Sequence, residues 1–194
     1  MEFIKMNKAL LLAGAACVLF STQANAQQMF GHEIEPYVGM DYVYDNADFK
    51  GDANSLKKAY NSGAVNVGTR LGKYAGLEAY YQLSGHRKKD LTSTVTAKSK
   101  FHSYGLDLYG YLPMDCADKV DLLASIGLGN YNLTVKGLSA GKYDKDHLGY
   151  RFGLGAQYNF TDHFSARVMG RYNYVNTSYL DNMWEATAGV RYTF

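Results

Sequence analysis

Beyond its first twenty residues the sequence has no apolar run long enough to cross a bilayer as a helix, which excludes a helical membrane bundle. Charge of one sign is also lacking. The formal net charge is +2, so the chain has none of the polyelectrolyte character that nucleic-acid binding requires. There are only two cysteines. Cys17 falls in an N-terminal leader, where Gly14 occupies the position a lipoprotein signal would fill with an apolar residue. Cys116 then stands alone, so no internal disulfide can hold the fold. Two prolines and one tryptophan contrast with 18 tyrosines and 20 glycines. A chain rich in Tyr and Gly and poor in Pro favours many strands and tight turns.

The one apolar run opens the chain. In "MEFIKMNKALLLAGAACVLFSTQANA", Lys5 and Lys8 precede an apolar stretch from Ala9 to Phe20, and Ala24 and Ala26 follow. Basic, then apolar, then A-x-A is the order of a secretory signal, and the apolar part is too short for a membrane anchor. Cleavage is expected after Ala26, with residues 1–26 a signal peptide and 27–194 one domain. Met6 opens a signal as well as Met1 does.

From there the chain repeats one pattern, nine to thirteen residues of alternating apolar and polar side chains followed by a break. The segments are 35–44, 64–72, 74–84, 101–113, 120–132, 148–160, 164–175 and 183–194. Period-2 patterning over such lengths marks strands, and no segment sustains the 3.6-residue period of a helix. Sorted by parity, one face carries residues such as Met40, Val65, Leu77, Leu106, Ile126, Phe152, Val168 and Val190, and its strand centres bear no charge. The other face holds Asp41, Arg70, Glu78, Asp107, Arg151, Arg167, Arg171, Glu185 and Arg191.

Alternation alone does not say which face is inside, since a soluble barrel would bury the apolar one. Three features favour the reverse. Glycines crowd the charged face (Gly39, Gly68, Gly105, Gly127, Gly153 and Gly189 among them), where a narrow lumen needs room for Arg and Tyr. Tyr44, Tyr81, Tyr104, Tyr150, Tyr174 and Tyr192 sit near strand ends on the apolar face, as in an interfacial girdle. The connections also alternate. Those near Lys73, at 114–119 and at 161–163 are short, and those at 45–63, 85–100, 133–147 and 176–182 are long. The expected fold is all-β, an eight-stranded antiparallel up-and-down transmembrane β-barrel. In hydrocarbon every backbone group must be paired, so first and last strands should bond to each other. That explains a chain ending in mid-strand at Phe194.

"PYVGMDYVY", "YAGLEAYYQL", "LLASIGLGNYN", "YRFGLGAQYNF" and the terminal "AGVRYTF", taken in order, resemble the small outer-membrane β-barrels of Gram-negative bacteria, the OmpA, OmpX and Opa type. The resemblance covers 27–194 and implies residence in the cell outer membrane, with loops outside and both termini in the periplasm. It further implies that Val190, Tyr192 and Phe194 are a C-terminal signal read by the barrel-assembly machinery. With no domain after Phe194, peptidoglycan anchoring of the full-length OmpA kind is not expected.

Among candidate sites, the nine inward charges are expected to form an interior network of salt bridges and hydrogen bonds, because unpaired buried charge is costly. Eight strands leave a lumen that side chains fill. A packed plug is therefore favoured over a narrow porin-like channel, which is the alternative. A second alternative is a lipid A-modifying enzyme. His163 and Ser165 in "HFS", with Glu185, resemble the His-x-Ser plus acid arrangement of lipid A deacylases, but His163 lies at the turn rim and Glu185 near the loop rim. The third candidate is the connection 85–100, where Arg87, Lys88, Lys89, Lys98 and Lys100 face only Asp90, a preference for polyanions. No cofactor is implied. Asp45, Asp48 and Asp52 lack the spacing of a calcium loop, and His86, His102 and His147 have no ligand spacing. The expected partners are outer-membrane lipid and lipopolysaccharide, the assembly machinery, and host surface glycans or proteins. No nucleic acid is expected, nor turnover, and the protein should be a monomer whose role is structural and adhesive.

Overall fold

The computed structural model describes residues 34–49, 59–85, 87–92, 95–114, 119–136, 143–175 and 180–194. The expected signal peptide, Cys116, His86 and Asp52 lie outside the described residues. Nine strand segments make one sheet: β1 (Ile34–Phe49), β2 (Ala59–Leu71), β3 (Ala75–Ser84), β4 (Arg87–Thr92), β5 (Val95–Pro113), β6 (Val120–Lys136), β7 (Tyr143–Asn159), β8 (Phe164–Tyr174) and β9 (Leu180–Thr193). β3 and β4 are two pieces of one stave, since both pair with β5. The barrel therefore has eight staves, each antiparallel to its neighbours, and it closes where β1 pairs with β9 from Tyr37↔Thr193 to Phe49↔Leu180. The last amide joins the seam, with Phe194 N donating to Pro36 O at 3.0 Å.

The strands outrun the apolar alternation. Crossing hydrocarbon takes about 9–11 tilted residues, whereas β5 has 19 and β6 and β7 have 17 each. Segments expected as long loops are partly ladder. β1 runs to Phe49 and β2 starts at Ala59, β6 continues to Lys136, and β9 begins at Leu180. The expected loop 85–100 is a correction of the same kind, because β4 and β5 form a paired hairpin there. Apolar alternation marks only the part of a strand that touches hydrocarbon. Backbone pairing persists beyond it, through Thr, Lys and Asn.

At the opposite end the turns are tight. Gly72 has φ 61°, a left-handed conformation that its missing Cβ permits, and it turns β2 into β3. Thr161 Oγ1 accepts from the amides of His163 (3.3 Å) and Phe164 (3.0 Å) and so shapes the β7–β8 turn.

Side chains separate as the parity argument requires. Leu154 is 71% exposed and Val168 58% on the outer surface, while Arg151, Arg167 and Arg171 are buried in the lumen at 2% or less. This is a soluble barrel turned inside out, and its apolar outer surface suits a hydrocarbon surround. Aromatic rings gather at both ends of the outer face. At the turn end Tyr192 packs edge-on against Phe164 (5.1 Å) and Phe194 (5.2 Å). At the loop end Tyr81 is the register partner of Tyr104, and Tyr150 of Tyr174.

Candidate functional site

The lumen is the chemically dense part of the molecule, and the alternation of every stave feeds it. At its centre lies Arg167. Its Nη1 donates to Glu78 Oε2 at 3.0 Å, and its Nη2 donates to Glu78 Oε1 at 2.9 Å and Asp41 Oδ2 at 3.1 Å. Arg191 Nη2 reaches the same two carboxylates at 3.4 Å. Tyrosine hydroxyls complete the set. Tyr37 donates to Glu78 Oε2 (2.9 Å), and Tyr109 donates to Oε1 (3.2 Å) while accepting from Arg171 Nη2 (2.8 Å). The Arg167 guanidinium also lies over the Tyr109 ring at 4.8 Å, an attraction between cation and ring face. Charge-assisted bonds of this kind are roughly twice as strong as neutral ones, and two carboxylates facing two arginines leave the cluster balanced.

A second tier lies nearer the loop end. Arg151 sits between Asp107 (3.5 Å) and Glu185 (3.3 Å), with its guanidinium 3.8 Å from the Tyr80 ring centroid. Beyond it Ser62 Oγ and Gln82 Nε2 both donate to Asp45, the latter at 2.8 Å, and Tyr131 donates to Asn173 Oδ1 at 2.9 Å. Val43 and Met183 are buried at this level, so the loop end of the lumen is packed as well as bonded. At the turn end, half-buried Arg70 pairs with Asp121 at 3.0 Å and covers Tyr111 at 4.5 Å, and Asn159 Nδ2 donates to Asp121 (3.0 Å). Below the central cluster a polar vestibule of about 550 Å³ opens toward the turns, lined by Tyr37, Arg70, Tyr111, Gln157, Ser165 and Arg191 among others.

All nine sequence-derived charges lie on the lumen side, in these tiers. Asp45 and Asp121 are not among the nine, nor are the tyrosines and amides that bond to some of the lumen's charges. The signal for Tyr37 and Tyr109 was available, since they share parity with Asp41 and Asp107 on their own strands, and Asp121 shares parity with Gly127 and Gly129 on the glycine-rich face of β6. Asp45 was assigned to a loop because apolar alternation stops at Tyr44.

The arrangement considered for catalysis does not assemble. His163 Nδ1 is 2.9 Å from Thr193 O, and Ser165 is the register partner of Arg191. Glu185 lies six residues further along β9, about 20 Å at 3.3 Å per residue. Val190, Tyr192 and Phe194 lie on the outer face of the closing strand. The basic residues of 87–100 take defined register positions on the β4–β5 hairpin, Arg87 opposite Ser99 and Lys88 opposite Lys98. Among the described residues no group of three or more His, Cys, Asp or Glu converges as a metal site.

Solved structures share this architecture. Neisserial surface protein A is 20% identical over 82% of this chain and 97% of its own, with a TM-score of 0.65. The N-terminal β-barrel domain of Pseudomonas aeruginosa OprF is 18% identical over 81% and 97%, with a TM-score of 0.57. The attachment invasion locus protein Ail of Yersinia pestis, solved in complex with the heparin analogue sucrose octasulfate, is 14% identical over 83% and 99%, with a TM-score of 0.53. At these identities the likeness is one of fold. No curated protein sequence matches the chain. The description of the outer membrane protein beta-barrel domain matches residues 12–194, nearly the whole sequence, and with the closed, inside-out barrel it establishes that the chain belongs to that family.

Proposed function

We propose that this protein is a monomeric surface barrel without turnover. In this reading it is exported by cleavage after Ala26 and seated with its turns and both termini in the periplasm and its hairpins outside. Its work is envelope integrity and contact with polyanions, either lipopolysaccharide or acidic glycans on another cell. The central observation is the Arg167–Glu78–Asp41 cluster. Three buried charged groups bonded to one another across the lumen favour a plug over a pore, and in this reading the useful surface is outside. The excess of Lys and Arg over acids at 87–100 supplies the contact chemistry. That Ail was solved with a heparin analogue lends support by analogy of fold. Val190, Tyr192 and Phe194 are, in this reading, the strand edge that the assembly machinery grips by β-augmentation before the seam closes.

The deciding experiment measures two things on the refolded barrel. Planar bilayers should show little steady conductance, and heparin should bind with an affinity that falls as salt rises. Stable, frequent openings would instead support a narrow porin, a second reading favoured by the vestibule that opens toward the turns.

A further inference from the structure

The register of the β3–β4 stave changes how the basic residues of 87–100 are arranged. Leu83 pairs with His102 and Arg87 with Ser99. Three residues separate Leu83 from Arg87, and only two separate their partners. The stave therefore carries one extra residue, the defining count of a β-bulge. An extra residue exchanges the two faces of everything beyond it. Simple parity from Glu78 and Gln82 would group Lys88 with the lumen residues. The observed pairing groups it with Lys98, which shares parity with Leu106 and Leu108 on the outer face.

Lys98 is in turn the register partner of Lys136 on β6. Lys88, Lys98 and Lys136 thus stand on one lateral line across three neighbouring strands, at the strand spacing of about 4.8 Å. Lys100 shares their parity two residues along β5. Arg87, opposite Ser99, and Lys89, opposite Ala97, have the other parity. Among the described residues no acid takes a register position on the lysine line itself, although Asp90 shares the parity of Lys88 two residues along β4. Asp90 is opposite Thr96, and Asp144 is reached from Lys100 only through Thr134. Like charges at directly opposed register positions are unfavourable, a cost that a bound polyanion would offset.

Height decides between sources of the polyanion. Tyr104, in the aromatic girdle, lies six residues below Lys98 on the same strand. That is about 20 Å along the strand and about 15 Å in height at a tilt near 40°. The headgroup layer is only about 5–8 Å thick on each side of the hydrocarbon. The line therefore stands above the lipid phosphates.

We propose that Lys88, Lys98 and Lys136, with Lys100 beside them, form one cation row that binds a linear sulfated or phosphorylated glycan held above the membrane, and that Arg87 and Lys89 are not part of it. This rests on the polyanion reading above and adds Lys136, which lies outside the basic cluster of 87–100.

The test is heparin binding by the full barrel in detergent micelles, over a range of salt. Lys88→Ala, Lys98→Ala and Lys136→Ala should each lower affinity about three- to fivefold and shallow the salt dependence by about one ion. Arg87→Ala and Lys89→Ala should change it less than twofold. Gel mobility before and after boiling verifies that each variant is folded. Equal losses at all five positions would overturn the row and leave the polyanion reading intact. Absence of binding by the unaltered protein would remove both. If Lys98→Ala weakened binding to lipopolysaccharide vesicles but not to heparin, the glycan assignment would be wrong.

Discussion

Arg167 and Glu78, 89 residues apart in the chain, are joined by two hydrogen bonds of 3.0 and 2.9 Å across the middle of the barrel. Glu78 also accepts from Tyr37, Tyr109 and Arg191, so a single carboxylate is the common partner of four side chains on four other strands. That makes Glu78 the group on which the lumen's packing depends.

Replacing Glu78 with Ala leaves Arg167 and Arg191 short of negative charge in a buried site. Breaking one side of such a pair costs about 3–5 kcal/mol. The expected outcome is a lower unfolding midpoint in urea, read by tyrosine fluorescence and gel mobility, together with channel openings absent from the unaltered barrel. Glu78→Gln keeps the shape and loses the charge, and should fall between. An unchanged midpoint in Glu78→Ala would show that the cluster contributes nothing to stability.

Leu154 lies midway between Tyr150 and Tyr158 on β7 and is the most exposed of the large apolar residues on the outer face. Leu154→Arg should destabilise the barrel in lipid by about 2–4 kcal/mol. Replacing Leu148, nearer the loop end, with Arg should cost about 1 kcal/mol or less, because the cost falls toward the interface. Equilibrium refolding into lipid vesicles measures both. Equal effects at the two positions would mean that the outer face does not meet a bilayer as described.

Gly127 and Gly170 make a matched pair. A Cβ on Gly127 would collide with Asp107 Oδ1 and with the backbone oxygen of Leu106 (2.6 Å), whereas a Cβ on Gly170 meets nothing within 4 Å. Gly127→Ala should cost about 1–3 kcal/mol, as overpacking does. Gly170→Ala should be neutral or stabilise by up to about 1 kcal/mol through a less flexible unfolded chain. The same refolding measurement separates them.

Phe194→Ser removes a ring that packs on Tyr192 at 5.2 Å but leaves the Phe194 N to Pro36 O bond available. If the terminal strand is an assembly signal, membrane-inserted protein in cells should fall severalfold while refolding in detergent stays near normal. Equal losses in both would reduce Phe194 to a packing residue.

Eight staves, their faces and the aromatic girdles were legible because each is local. Met40, Leu106 and Val168 are apolar at the positions where Asp41, Asp107 and Arg167 are charged, one residue along, and no partner strand is needed to read that contrast. Strand length was not legible. Asp45 and Lys136 belong to paired strands, yet nothing in their own neighbourhood distinguishes a hydrogen-bonded polar strand from a loop. The candidate site was half readable. The inward charges follow from parity, but the roles of Tyr37, Tyr80 and Tyr109 as hydrogen-bond donors and ring platforms depend on which strands meet across a lumen.

By itself the sequence determined that this protein is an inside-out barrel, because contact with hydrocarbon or with a polar lumen selects side chains one position at a time, at period two. Only the tertiary structure decided that Arg167 meets Glu78, and that one extra residue before Arg87 brings Lys88 into line with Lys98 and Lys136. The physical reason is that register belongs to pairs of strands, and the pairing that sets it joins residues far apart in the chain.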